Sequence, residues 1–173
     1  MEKFLFKNSG QFIDKLNNWF HLFIAIPLAA VAYTYLEINS GSYTALFEDA
    51  PLILFIITLI FCISLGVWSF RGYKKSLLQL KNDKGLFLVS EKVSEYFQVA
   101  FIFYVKFFIA MIFATLGLLI SGDIKYAGLF IVIIFILSVN RPSLLDVANK
   151  LGLKKGRKTA FIDKEDFNSF PEV

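Results

Sequence analysis

Charge is sorted along this chain, and the sorting limits its possible folds more than any other feature. Residues 16–36, 50–70 and 126–140 contain no Asp, Glu, Lys or Arg, and residues 96–122 contain one, Lys106. A helix needs roughly 20 apolar residues to cross a hydrocarbon core of about 30 Å. Three runs meet that length. The fourth, YAGLFIVIIFILSVN, is shorter, but Ile124 and a snorkelling Lys125 extend it. None of the runs alternates polar and apolar residues, as the strands of an outer-membrane barrel must. Hydrophobic residues make up 57% of the chain and charged residues 18%, below the roughly 25% of soluble domains.

These features predict an all-α polytopic membrane protein. Four transmembrane helices are expected at about 19–37, 51–71, 97–120 and 124–140, arranged as two hairpins. Interfacial amphipathic helices are expected at both termini. Residues 1–18 read as the first of these, 19–140 as the bundle, and 141–173 as a cytoplasmic basic amphipathic helix and tail. A cleaved signal peptide is a competing reading of the first run, since Ala30-Val31-Ala32 fits the cleavage pattern. The long segment before the run, and its continuation through Tyr33, Tyr35 and Leu36, weigh against it.

The distribution of Lys and Arg sets the orientation. Three lie in the N-terminal tail, six in the second loop and seven after the last run, whereas only Lys125 falls in the outer loops. By the positive-inside rule both termini are cytoplasmic, in a multi-pass protein of the cell inner membrane. The net charge of +4 then reads as attraction to anionic headgroups, not as a nucleic-acid signature.

Phe12, Ile13, Leu16, Trp19 and Phe20 fall on one helical stripe, with Ser9 as the expected cap. This pattern predicts a helix lying in the membrane interface and leading into the first span. Ser143-Leu-Leu-Asp146 resembles a capping box, and Leu144, Val147, Ala148 and Leu151 follow at helical spacing up to a stop at Gly152. The basic residues Lys154, Lys155, Arg157 and Lys158 come next and are the candidate headgroup-binding group; a docking site for a cytoplasmic partner is the other reading. Residues 159–173 are expected to be loosely ordered. Asn82-Asp83-Lys84-Gly85 predicts a turn, and Ser90 a cap for the third helix. Ser-Leu-Leu follows Arg71 and Arg141 alike, a faint sign of duplicated hairpins.

Between lipid-exposed helices, close packing relies on small residues. Ala25, Ala29 and Ala32 supply them in the first span, Thr58, Cys62 and Gly66 in the second, and Ala110, Ala114, Gly117 and Ser121 in the third. The tight contacts are therefore expected among the first three helices, with the fourth turned to lipid or to another subunit. Pro27 predicts a kink.

Ion and proton carriers generally place an ionisable group at membrane depth. No Asp or Glu lies near the middle of any run. Lys106 is the one embedded charge. It reads either as a snorkelling side chain or, with Tyr104 near it in sequence, as a pathway or lipid-phosphate contact. Glu37, Tyr33, Tyr35, Glu48 and Asp49 form an acidic, aromatic outer rim. His21 reads as interfacial and Cys62 as a packing residue. With one His and one Cys, no multi-ligand metal site or dithiol pair fits in one chain. No motif for nucleophilic catalysis or phosphate binding is present, so neither catalysis nor a cofactor is expected.

Ser138-Val-Asn-Arg141-Pro142-Ser143, followed by Leu151-Gly-Leu153, resembles a group of small, uncharacterised bacterial inner-membrane proteins with four transmembrane helices. In these an Arg-Pro closes the last span and a short Leu-rich helix follows. The resemblance implies a fold type and no activity. The expected function is a non-catalytic accessory, assembly or structural subunit, with a membrane-protein partner or a homo-oligomer as its context. The alternative is a small oligomeric channel or transporter for an anion or neutral solute.

Overall fold

The computed structural model describes residues 6–43, 52–82 and 88–170, and of Asn168 only the backbone. Six helices occur among them: α1 (Ser9–Asn39), α2 (Leu52–Asn82), α3 (Val89–Ser121), α4 (Lys125–Val139), α5 (Leu144–Lys150) and α6 (Lys155–Ile162). A 3-10 turn follows at Phe167–Ser169. The protein is all-α, and α1, α2 and α3 are long and apolar enough to cross a membrane. α4 matches the expected 124–140 closely. At fifteen residues it passes the same test only when taken together with α5.

The chain divides into two compact units. One comprises Met1–Phe20, Arg71–Phe103 and Arg141–Val173, the other His21–Phe70 and Tyr104–Asn140. Two of the divisions, after Phe70 and after Asn140, coincide with the ends of charge-free runs. The second unit contains only two basic residues, Lys106 and Lys125; the other sixteen belong to the first.

The first unit has a protein core of its own. Phe12, Ile13, Leu16 and Phe20 of α1 are buried with Val93, Tyr96, Phe97 and Ala100 of α3, Val147, Ala148 and Leu151 of α5, and Phe161 of α6. Ring pairs knit it together: Phe12 lies 6.0 Å from Tyr96 and 6.4 Å from Phe161, and Trp19 sits edge-on to Phe101 at 5.2 Å. The apolar stripe of α1, expected to face the interface, is instead covered by protein at Phe12, Ile13, Leu16 and Phe20. The α5 stripe is covered in the same way. A stripe at helical spacing is the same pattern whether protein or lipid covers it.

Two further expectations change here. Asn8, not Ser9, caps α1, with its side-chain oxygen accepting from the Gln11 N–H at 2.9 Å. Ser9 is buried and donates its hydroxyl to the Phe161 carbonyl at 2.5 Å. Nor are residues 159–173 loosely ordered where the structure describes them. Lys155–Ile162 is helical, Phe161 and Phe167 are buried, and Asn8 and Asp166 form a single antiparallel bridge. The Phe167 N–H donates to the Lys7 carbonyl at 3.0 Å. Two aromatic residues in a charged segment suffice to order it once a partner surface exists.

Other local expectations hold. Ser143 accepts from the Asp146 N–H at 3.2 Å, and Gly152 ends α5 at φ +69°, a conformation that favours glycine. The Leu153 N–H closes that end on the Ala148 carbonyl at 3.1 Å. The expected cap at Ser90 is not borne out: Val89 begins α3, which places Ser90 inside its first turn. The turn at Asp83-Lys84-Gly85 and the rim residues Glu48 and Asp49 lie outside the described residues.

In the second unit, α3 is the most buried of the long helices and α2 the least. The small residues behave as expected on α3, where Ala110, Ala114, Gly117 and Ser121 are buried; on α2 only Cys62 is buried, its thiol 3.6 Å from the Ala110 carbonyl, while Thr58 and Gly66 are half-buried. α1 departs from expectation. Phe23, Pro27, Val31 and Thr34 form its buried face, and Ala25, Ala29 and Ala32 are exposed. At about 100° per residue the alanine row lies on the side opposite Pro27, so only one of the two faces can be buried. α1 remains one helix through Pro27. The tight contact assigned to the first three helices also extends to α4. Tyr126, Phe130, Ile133 and Leu137 are buried, and the Tyr126 ring lies directly against Gly117. Glycine is required there because a Cβ would penetrate the ring. The opposite face of α4, with Ile131, Val132, Phe135 and Val139, is exposed.

Candidate functional site

Lys106 is the residue on which a functional reading turns. α3 carries it among Phe103, Tyr104, Phe107 and Ala110, all buried, while Lys106 itself is half-buried. Its ammonium lies 4.0 Å from the centre of the Trp68 ring, on α2. Trp68 is 63% exposed, so the cation is at the surface of its unit. A cation over an indole face is held by the ring quadrupole, most strongly where water is scarce.

Tyr104 does not join it. Two residues apart on a helix means about 200° of rotation, so the two side chains leave α3 on different faces. Tyr104 is buried, and its hydroxyl donates to the Asn140 carbonyl at 3.3 Å, where it helps to satisfy the C-terminal end of α4. An open, apolar groove of about 560 Å³ runs between Leu28, Val31 and Tyr35 of α1 and Ile124, Gly128 and Ile131 at α4. Lys106 does not line it. At the start of α4, Asp123 and Lys125 form an exposed ion pair at 3.0 Å. The Asp123 carboxyl is held below its ordinary pKa, first by the Lys125 backbone N–H and also by the Lys125 ammonium, against a smaller opposing effect of burial.

Lys154, Lys155, Arg157 and Lys158 do fall together, at and just before the first turn of α6. Lys154 and Lys155 are exposed, and Arg157 and Lys158 are half-buried. Cations at a helix N-terminus oppose the helix dipole. Burial of Ala160 and Phe161 holds α6 in place despite them. Glu37 is half-buried and His21 exposed.

Sequence reasoning missed a polar cluster in the first unit. Lys150 pairs with Asp146 at 2.6 Å and donates to the Tyr73 hydroxyl at 3.2 Å; that hydroxyl lies 2.9 Å from the Tyr96 hydroxyl. Burial alone would lower the Lys150 pKa, but the Asp146 carboxylate and the Tyr73 hydroxyl outweigh it and raise the pKa. The i,i+4 spacing of Asp146 and Lys150 was visible in the sequence. The two tyrosines, some 50 to 80 positions away, were not. The cluster ties α2, α3 and α5 together and opens onto no described cavity.

Comparison with protein-family models, with curated proteins and with solved structures finds no match.

Proposed function

We propose that this chain is a non-catalytic integral protein of the inner membrane, an accessory, assembly or structural subunit that crosses the bilayer four times with both termini in the cytoplasm. The position of Lys106 carries the functional part. A transporter of anions would aim its one embedded cation into a pathway, whereas this one rests on an exposed tryptophan, and the apolar groove between α1 and α4 is not lined by it.

The pairing of the chain's two ends supports the topology. Lys7 and Asn8 bond to Asp166 and Phe167, so both ends lie on one face of any membrane that the helices cross. That pairing favours an even number of crossings, and with α1, α2 and α3 as three of them, α4 supplies the fourth in this reading. It is about 22 Å long at 1.5 Å per residue, short of a full hydrocarbon core, and flanking residues or local thinning make up the difference. The concentration of sixteen basic residues in the first unit supports a cytoplasmic side for it by the positive-inside rule. In a Cys62→Ala background, a membrane-impermeant thiol reagent added from outside is expected to label a cysteine placed at Ser42 and spare one placed at Asn82. The reverse pattern would overturn the orientation.

The function itself is tested by reconstitution and by purification. Liposomes holding the protein are expected to pass neither small anions nor neutral solutes above the protein-free background. Purification in mild detergent is expected to return one other membrane protein, or a second copy, in fixed ratio. Flux through wild type that vanishes in a folded Lys106→Met variant would replace this reading with the transporter.

A further inference from the structure

Among the described residues no carboxylate pairs with Lys106, and its ammonium lies over the face of Trp68. The indole N–H of Trp68 likewise has no acceptor among the described residues, although the residue is 63% exposed. Two kinds of donor therefore stand side by side on one patch of surface: an ammonium with three N–H groups and an indole with one. An unpaired cation near the hydrocarbon region is costly, and such groups find water, carbonyls or lipid phosphates. The ring supplies only part of what the cation lost on leaving water.

The depth of the pair narrows the choice. Trp68 lies two residues inside the charge-free run that ends at Phe70, about 3 Å along the helix axis. Tryptophan at that depth sits at headgroup level. The ammonium, 4.0 Å from the ring centre, is held at that same level. Val67 and Phe70 on α2 and Ile109 on α3, close to the pair in sequence, are exposed apolar side chains, with the exposed Ser64 one turn before Trp68. The apolar side chains suit acyl chains.

We propose that Lys106 and Trp68 bind the phosphate of an anionic phospholipid in the inner leaflet, with the ammonium and the indole N–H donating to phosphate oxygens and the apolar residues beside them contacting the acyl chains. This rests on the membrane orientation argued above and gives the embedded cation a ligand. Tyr104 takes no part.

The test uses the full-length protein with Trp19→Phe, which leaves Trp68 as the only indole. It is reconstituted in phosphatidylcholine vesicles containing a minor fraction of brominated lipid, either phosphatidylglycerol or phosphatidylcholine. Bromine quenches an indole only at contact. Brominated phosphatidylglycerol is expected to occupy the site about five-fold more than brominated phosphatidylcholine, the discrimination that one basic residue near an anionic surface gives. Lys106→Met should abolish the difference and Lys106→Arg should keep it, with helical content by circular dichroism unchanged in both.

Equal quenching by the two lipids in the protein with Lys106 intact would overturn the site, and that measurement does not depend on the variants folding. A preference that survives in folded Lys106→Met would also overturn it. Loss of the preference on adding inorganic phosphate would reassign the pair to a soluble anion. Thiol labelling at Ser42 and Asn82 reports orientation separately, so a wrong orientation and a wrong ligand give different results.

Discussion

Gly117→Leu is expected not to yield a stably folded bundle, and Gly117→Ala to fold with a loss of about 1–3 kcal/mol, the usual cost of forcing extra volume into a packed core. The reason lies in one contact. A Cβ at Gly117 points into the Tyr126 ring, which is itself buried and held edge-on at 5.2 Å by Phe55. Neither ring has an easy retreat. Gly66→Ala is the matched control. A Cβ there lies 4.0 Å from the tip of Phe107, an ordinary van der Waals distance, so the change should be close to neutral. Ile133→Leu conserves volume on the buried face of α4 and should also cost little. The measurement is unfolding in mixed micelles as the denaturing detergent is raised. Coincident curves for wild type and Gly117→Ala would show that α3 and α4 do not approach as described.

The second large effect is expected at the other end of the molecule. Phe161→Ala should cost about 3–5 kcal/mol, the range for emptying a fully buried phenylalanine site. Phe161 has no exposed surface, and it packs near Phe12 at 6.4 Å and against Phe167 at 6.1 Å. Its carbonyl also accepts the Ser9 hydroxyl, so α6 is held to the start of α1 by both a ring and a backbone group. Loss of the ring should free the C-terminal segment. Limited trypsin digestion is the direct readout, since Lys154, Lys155, Arg157 and Lys158 all lie in or beside α6. Rapid cleavage there in Phe161→Ala, with wild type protected, is the expected pattern. Equal cleavage in both would mean that this aromatic core does not hold the tail. Leu145→Ala, which removes an exposed side chain on α5, should leave the protection unchanged.

The two substitutions also separate what could be read along the chain from what could not. Gly117 belonged to a visible row of small residues, and that row is buried on α3 as its spacing implied, whereas on α2 only Cys62 of the row is buried. The equally visible row on α1 is exposed. Small size permits close approach and does not compel it. On α1 a competing stripe of Phe20, Phe23, Pro27, Val31 and Thr34 buried more surface, and a helix can turn only one face inward. For Phe161 the local surroundings, Lys-Gly-Arg-Lys-Thr-Ala before it and Ile-Asp-Lys-Glu-Asp after it, resemble a solvated tail. Its burial depends on Phe12, which is 149 positions away.

The functional residues divide in the same manner. Lys106 stood out because it alone interrupts a long apolar run, which is a statement about one position. Its partner Trp68, on another helix, could not be named without a packing arrangement. Tyr104 was grouped with Lys106 by nearness in sequence, and the helix turned it away. The cluster of Lys150, Asp146, Tyr73 and Tyr96 contained one legible pair, at i,i+4 spacing, and two tyrosines that only folding brings near.

By itself, then, the sequence determined the helical class, the approximate ends of the long helices, the caps at Ser143 and Gly152, and the sorting of charge that the two units later share. Each of these depends on backbone hydrogen bonds, solvation and residues within a turn or two of one another, which composition and spacing report directly. The tertiary structure decided which face of α1 is buried, that Tyr126 closes on Gly117, that Lys106 rests on Trp68, and that the two ends of the chain pair with each other. Those outcomes depend on contacts between residues far apart in the chain, where several faces compete for the same buried space and the winner is set by the fit of whole surfaces.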